Sequence, residues 1–350
     1  MWLIKLRGFV VALALGLVVV ALPLSSPASA QGTTSSCADP VTGPPTGPAT
    51  VSVASTAFGR VLVVGSGNYT GCSLYLLTSD KLHALSGAPF ACSDNANAIG
   101  APCDSVLWPA LLTKGAPIAG RGVERSLLKT VNRTDLPGMA SVQQVTYAGL
   151  PLYRFFLDEK PGETEGANLF DPVTSPTGIW YLVEPSRGRP APGQAQLVIE
   201  TAPVGATGPD ATVLAASMNN DFSLFPHASF PVYTLSPGRG QEEGRQSGDQ
   251  NGEQTDHQRG DESACQELCA LYWPPVLTSK RPEAGPGVDQ HALGTIVRPD
   301  GTHQVTYRGQ PLYLFVNDAY IHGLPYGEAR IDGAGADTPW GVFNTIPPLP

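Results

Sequence analysis

Gly309-Gln310-Pro311-Leu312-Tyr313-Leu314-Phe315-Val316-Asn317-Asp318 repeats most of an earlier stretch, Gly149-Leu150-Pro151-Leu152-Tyr153-Arg154-Phe155-Phe156-Leu157-Asp158. Leu312, Leu314 and Val316 alternate with Tyr313 and Phe315, which is the two-residue period of a strand, and an Asp five residues after the Tyr ends it. Each copy therefore reads as a strand followed by a turn.

Working outward, the residues before each stretch form its hairpin partner. Val142-Gln143-Gln144-Val145-Thr146-Tyr147 runs up, Ala148-Gly149 turns, and Leu152 to Phe155 runs back. The second copy has Thr302-His303-Gln304-Val305-Thr306-Tyr307, then Arg308-Gly309, then Leu312 to Phe315. A two-residue turn ending in Gly between alternating strands is a strong hairpin signal. Upstream, the sequence predicts a strand over Ala49 to Val64, a turn at Gly65-Ser66-Gly67-Asn68 and a return over Ser73 to Leu77, ended by Asp80. Ala195 to Ile199, Val213 to Ala216 and Pro231 to Leu235 restart that pattern in the second half. Each half closes on a short strand, Gly178 to Val183 and Trp340-Gly341-Val342-Phe343. Trp108-Pro109 and Trp273-Pro274 hold equivalent places, and a Trp before Pro suits a large anchor at one end of a core.

The expected fold is all-β: two tandem homologous repeats, each of two hairpins plus a closing strand, stapled by disulfides. Residues 49–185 form the first repeat, 186–193 a Pro/Gly/Arg-rich linker and 194–347 the second. The stretch 236–263 holds seven acidic residues among Gln, Gly and Arg without apolar periodicity, and reads as a disordered insert. With 39 Gly and 34 Pro, short elements joined by turns are favoured over long helices.

Lys5 and Arg7 precede an apolar run from Phe9 to Leu22, and Ala28-Ser29-Ala30 is a small-x-small cleavage signal. Residues 1–30 thus read as an export signal. The apolar run is shorter than the roughly 20 residues a membrane span needs, so no stable span is expected after cleavage. The segment carries two positive charges and no negative ones, so its removal takes the formal charge from -9 to -11. An acidic exported chain is a poor partner for nucleic acid. Residues 31–48 form a Thr/Ser/Gly/Pro tail, expected to be flexible.

An even set of six cysteines in an exported protein reads as disulfides. Cys265 and Cys269 are four apart and Cys92 and Cys103 precede an equivalent Trp, which pairs them within each half and leaves Cys37 with Cys72. The alternative for Cys37 is acylation, against which the polar Thr34-Ser35-Ser36 argues.

Tyr followed five residues later by Asp occurs as Tyr75 with Asp80, Tyr153 with Asp158 and Tyr313 with Asp318; Tyr233 has Gly238 at that distance. Two readings stand: aromatic pleat positions with an Asp accepting from the amides of the next turn, or carboxylates converging on a ligand or cation. With Trp108, Trp273, Trp180 and Trp340 these are the motif residues.

The ordered pieces Leu-Tyr-x-Leu/Phe-x-x-Asp, Cys…Cys, Trp-Pro-Pro-Val-Leu, Gly-x-Pro-Leu-Tyr and Trp-Tyr-Leu-Val-Glu-Pro resemble a bacterial secreted repeat family of unknown function, predicted lipoproteins with a Y-x4-D motif. The resemblance covers both halves and implies an exported or envelope-associated tandem-repeat protein with no established reaction. Members are often lipid-anchored, and this chain departs there, lacking a good lipidation box; it departs again at Gly238.

No catalytic constellation is present in the sequence. The six histidines include no pair at helical zinc spacing, and Gly65-Ser66-Gly67 lacks the full nucleophile-elbow pattern. C-x-x-C-H is absent, and two Cys per half fall short of a four-ligand zinc site. The expectation is therefore a non-enzymatic binding or structural scaffold without cofactor or metal, meeting an envelope or extracellular partner. The alternative is an extracytoplasmic redox or metal-binding accessory protein.

Overall fold

The computed structural model describes residues 35–94, 101–171, 174, 177–203, 210–218, 229–236, 265–320 and 342–346. The export signal at residues 1–30, Trp340 and all of the insert except Ser236 lie outside the described residues.

Both halves are built from short strands in the same topology. In the first, Thr50–Thr56 and Gly59–Val64 pair antiparallel, and Ile118–Ala119 adds in parallel to Thr50–Thr56. In the second, Gln196–Pro203 pairs with Asp210–Ser217, and Glu283–Ala284 adds in parallel at the equivalent register. Leu128–Arg133, Val142–Tyr147 and Leu150–Pro151 form one further sheet, reproduced by Leu293–Val297, His303–Tyr307 and Gln310–Pro311. Tyr75–Leu77 pairs with Gly178–Val183, as Tyr233–Ser236 pairs with Val342–Thr345.

Four readings are revised. Ala49 to Val64 is itself a hairpin, turning at Ala57-Phe58, because an alternating run long enough for two strands hides a turn that carries no Pro or Asn. Leu128–Arg133 and Leu293–Val297 are additional strands, in which polar Lys129, Thr130 and Asn132 and the small Gly294 break up the apolar alternation. Leu152 to Phe155 is extended but not one ladder: Leu152 N–H donates to Val145, Tyr153 to Tyr75, and Arg154 to the Pro109 carbonyl. Pro151 and Pro311, which have no N–H, stand where each ladder stops. Finally, Phe343 pairs with Leu235 as Trp180 pairs with Leu77, so Phe343 is the structural counterpart of Trp180 in the closing strand, and Trp340 is not.

The turns at Ala148-Gly149 and Arg308-Gly309 have φ of 49° and 87°, and of 52° and 76°. Two successive left-handed residues match the twist of the flanking strands and explain the Gly at the second place.

The two faces of the repeated stretch are both buried, in different clusters. Leu152, Leu312 and Leu314 join one core with Leu62, Leu74, Leu197 and Phe230, drawn from both halves. Tyr153 and Phe155 pack with Trp108 and Trp180, and Tyr313 and Phe315 with Trp273 and Phe343. The Phe170 ring meets Phe230 edge-on at 5.0 Å between centroids, joining the repeats. The linker contributes to this union: Pro190–Ala191 pairs with Leu182 and Val183, and Arg189 donates to the Gly301 carbonyl of the second half.

All six cysteines are bridged and buried, as Cys37–Cys72, Cys92–Cys103 and Cys265–Cys269. The tail is consequently pinned rather than free from Ser35 onward. Beyond the bridge, the Arg154 guanidinium donates to the carbonyls of Cys37 at 2.5 Å and Asp39 at 2.8 Å and stacks over Tyr69. Composition alone does not reveal an anchor supplied by a residue more than a hundred positions away.

The bridges close loops of 35, 11 and 4 residues. Loop-closure entropy then ranks them: removing Cys37–Cys72 by a double Ser substitution costs about 4 kcal/mol, and removing Cys265–Cys269 about 2 kcal/mol. Urea midpoints of the two variants check the order.

Candidate functional site

The Tyr and Asp residues lie where extended segments cross. Tyr75 and Tyr153 face each other across an antiparallel bridge, with N–H to carbonyl distances of 2.9 and 3.0 Å. This places each side chain over the turn that follows the other. The Tyr75 hydroxyl donates to Asp158 Oδ2 at 2.7 Å, and the Tyr153 hydroxyl donates to Asp80 Oδ2 at 2.7 Å. The two motifs thus exchange partners. In the second half Tyr233 and Tyr313 form the same bridge, and Tyr233 donates to Asp318 Oδ2 at 2.8 Å. Gly238, the fourth position, lies outside the described residues.

The second carboxylate oxygen of each Asp is also used. Asp158 Oδ1 accepts from the Glu165 amide and Asp80 Oδ1 from the Ala91 amide, both at 2.9 Å. Each Asp therefore fastens the loop downstream of its own strand while accepting the phenol of the other motif. Tyr75, Tyr153, Tyr313, Asp80, Asp158 and Asp318 are all buried.

Aromatic rings seal the crossing. Trp108 stacks on Trp180 at 3.7 Å between centroids, with Tyr75 edge-on to Trp108 and Tyr153 edge-on to Trp180. Trp273 stacks on Phe343 at 3.7 Å, with Tyr233 and Tyr313 in the matching edge positions. Edge-to-face contacts of this kind add about 0.5–1.5 kcal/mol each beyond burial.

Sequence reading missed a second layer centred on Arg133. This guanidinium, fully buried, donates to Gln144 and Asp104 at 2.5 Å, to both oxygens of Asp135 at 2.8 Å and to the Cys92 carbonyl at 2.9 Å. It also lies 3.4 Å from the Tyr153 hydroxyl and over the Phe90 ring. Arg298 repeats the core of this arrangement, donating to Gln304 at 2.7 Å and to the Cys265 carbonyl at 3.0 Å. Gln144 and Gln304 each donate onward to the carbonyls of Leu152 and Leu312. The available signal was the Gln that recurs within the Gln-Val-Thr-Tyr of both copies.

Burial dominates the electrostatics. It pushes Asp158 up to about 7 against the lowering effect of the Tyr75 and Glu165 hydrogen bonds, and it raises Asp80 and Asp104 as well. Burial would also raise Asp135, but the hydrogen bonds and charge of Arg133 outweigh it and hold that carboxyl low. Burial likewise raises Tyr75 and Tyr153, and the neighbouring carboxylates push them further.

Chemically, these carboxylates already accept two hydrogen bonds apiece at Asp80 and Asp158. Among the described residues no group of three or more His, Cys, Asp or Glu is arranged to hold a metal ion. The described histidines stand elsewhere: His83 stacks on Phe90, and His291 and His303 are exposed. Among the described residues no helix is long and apolar enough to cross a membrane.

Because the folded Asp158 binds its proton more tightly than the unfolded one, it favours folding most below about pH 4, and this is lost as pH rises through 7. The stability difference between wild type and Asp158→Asn is thus expected to move against wild type from pH 4 to pH 8. The shift from 3.8 to about 7 sets an upper bound of about 4 kcal/mol. Melts across that window read it; a flat difference would show that Asp158 is solvated. Tyr75→Phe, which leaves a buried carboxyl oxygen without its phenol, costs about 1–3 kcal/mol by the same melts.

No curated protein and no solved structure matches the chain. A family model does match it twice, and each match holds one Tyr-x4-Asp pair and its hairpin turn. Residues 142–171 and 294–323 each match the model of a family described as a secreted repeat of unknown function.

Proposed function

We propose that the protein is a non-catalytic scaffold of the cell envelope or extracellular space, exported by residues 1–30 and made to present binding surfaces to an extracytoplasmic partner. The observation that carries this reading is the fate of the recurring residues. Every described Tyr and Asp of the motif is buried, and each Asp with fully assigned bonding spends both oxygens on a phenol and a backbone amide. Catalytic acids and bases need a hydrogen-bond path to a reacting atom. These residues instead hold loops and strands to one another.

The secreted character of the repeat supports the extracytoplasmic setting. The disulfides support it too, since such bonds persist in oxidising compartments. Cys37 is engaged with Cys72, which leaves no thiol there for acylation. The cysteines also offer no thiolate ligands while bridged.

The test combines a panel of chromogenic hydrolase substrates with thiol titration and elemental analysis of the purified mature chain. The expected result is no turnover, no titratable thiol before reduction and no stoichiometric metal. Turnover that disappears in Asp80→Asn or Asp158→Asn would overturn the scaffold reading, as would a thiol pair that titrates without denaturant.

A further inference from the structure

The two copies share a frame, so positions at which they differ can be compared directly. After the anchor Trp, Thr113 and Thr278 hold the same place: each hydroxyl accepts from the amide that begins its half, Ala49 or Ala195, and donates to a carbonyl two residues on. The loops that follow have equal length, Lys114-Gly115-Ala116-Pro117 and Ser279-Lys280-Arg281-Pro282, and end at the matching parallel strands. The register likewise sets Lys129 opposite Thr146 and Gly294 opposite Thr306.

In the second copy these differences converge on a cavity of about 390 Å³ between the 279–282 loop and the hairpin of Leu293–Val297 with His303–Tyr307. Lys280, Arg281 and His303 line it, with hydroxyls from Thr278 and Ser279, and Gly294 on its wall. Where the first copy brings the long side chain of Lys129, Gly294 brings none. Where the first copy has Lys114, Gly115 and Ala116, the second has Ser279, Lys280 and Arg281, so two cations stand together on the loop beside the opened space. Neither Lys280 nor Arg281 forms an ion pair among the described residues, in a chain whose formal charge is -9.

The loop is also held in place. Thr278 Oγ1 bonds the Lys280 carbonyl at 2.6 Å, Gln194 donates to the Arg281 carbonyl at 3.0 Å, and the Ser279 amide donates to the Gly193 carbonyl at 2.5 Å. A fixed loop backbone that carries two exposed cations beside a cavity of ligand size suits recognition of an oxyanion.

We propose that this cavity is a binding site for a small anionic ligand carrying a phosphate or carboxylate group. Arg281 supplies the planar donor fork, Lys280 and His303 supply further N–H donors, and the absence of a side chain at Gly294 leaves room for the ligand body. The proposal rests on the scaffold reading for its purpose and on its own residues for its chemistry.

Calorimetric titration of the mature chain tests it, with glucose 6-phosphate as the phosphate probe and glucuronate as the carboxylate probe. Saturable one-site binding of either is expected, and the stronger probe identifies the group. Arg281→Ala, which installs the first copy's residue at an exposed position, should weaken binding at least tenfold with an unchanged melting temperature. Gly294→Lys, again the first copy's residue, separates a cavity from a merely positive surface: it abolishes binding if the cavity is the site, whereas added charge on an open surface strengthens binding. A Cβ there meets Thr306 Oγ1 at 2.9 Å, and the first copy accommodates a lysine at the same register, Lys129 opposite Thr146. No saturable binding at millimolar probe, equal affinity in Arg281→Ala, or tighter binding in Gly294→Lys overturns the site and leaves the scaffold reading standing. Release of inorganic phosphate from glucose 6-phosphate would do the opposite.

Discussion

Two extended segments can cross in a protein interior only if the polar atoms at the crossing find partners, because an unpaired buried donor or acceptor costs about 1–3 kcal/mol. At the Tyr75–Tyr153 crossing a single reciprocal arrangement meets that constraint. The two backbones bond each other through both amides, and each phenol reaches the carboxylate that terminates the opposite segment. Removing either motif would leave the other with a buried hydroxyl or carboxyl unsatisfied. The second half keeps the bridge and one arm of the exchange: Tyr233 and Tyr313 pair in the same way and Tyr233 reaches Asp318, while the sequence has Gly238 at the place of the other carboxylate. Several of the remaining strands are only two residues long and add to longer hairpins rather than standing alone.

The layer around Arg133 extends the same logic outward. A buried guanidinium is costly unless its donors are used, and Arg133 spends them on two carboxylates, a glutamine and the carbonyl of Cys92. That carbonyl belongs to the Cys92–Cys103 bridge, and Asp104 follows the bridge directly. The disulfide loop is therefore positioned by the arginine as well as by its own covalent bond. In the second half Cys269 is followed by Ala270, and burial lowers the pKa of Arg298, whereas the carboxylates around Arg133 hold that group firmly cationic. The arginine, its glutamine and the bridge carbonyl recur in both halves, and an Asp stands two residues after each arginine, as Asp135 and Asp300.

The sequence showed most of this frame, for definable reasons. A two-residue period, a Gly-terminated turn and a Trp-Pro anchor are local signals, and they placed the second hairpin, the buried tryptophans and the two-repeat organisation. The cross-pairing of Tyr75 with Asp158 was not legible, because the partner is 83 residues distant and no local pattern spans that separation. Arg133 and Arg298 escaped notice because charged residues are usually exposed, and only their neighbours reveal them as interior. The place of Phe343 was not legible either, because only the strand register sets it opposite Leu235 as Trp180 is set opposite Leu77, with its ring stacked on Trp273.

An internal repeat serves as its own comparison, and it separates two kinds of residue. Positions that recur, such as Tyr153 with Tyr313, Gln144 with Gln304 and Thr113 with Thr278, are buried and bonded within the fold. Their recurrence is accounted for by folding, since each copy must solve the same packing problem. Positions that diverge while the backbone register is preserved are under no such demand. The change from Lys114, Gly115, Ala116 and Lys129 to Ser279, Lys280, Arg281 and Gly294 clusters around one cavity, trading one long side chain for space and setting two adjacent cations on the loop beside it. Scattered drift would not be expected to remove bulk and bring two cations together at the same opening, so the anionic site follows from the departures between the copies as the fold follows from their agreement.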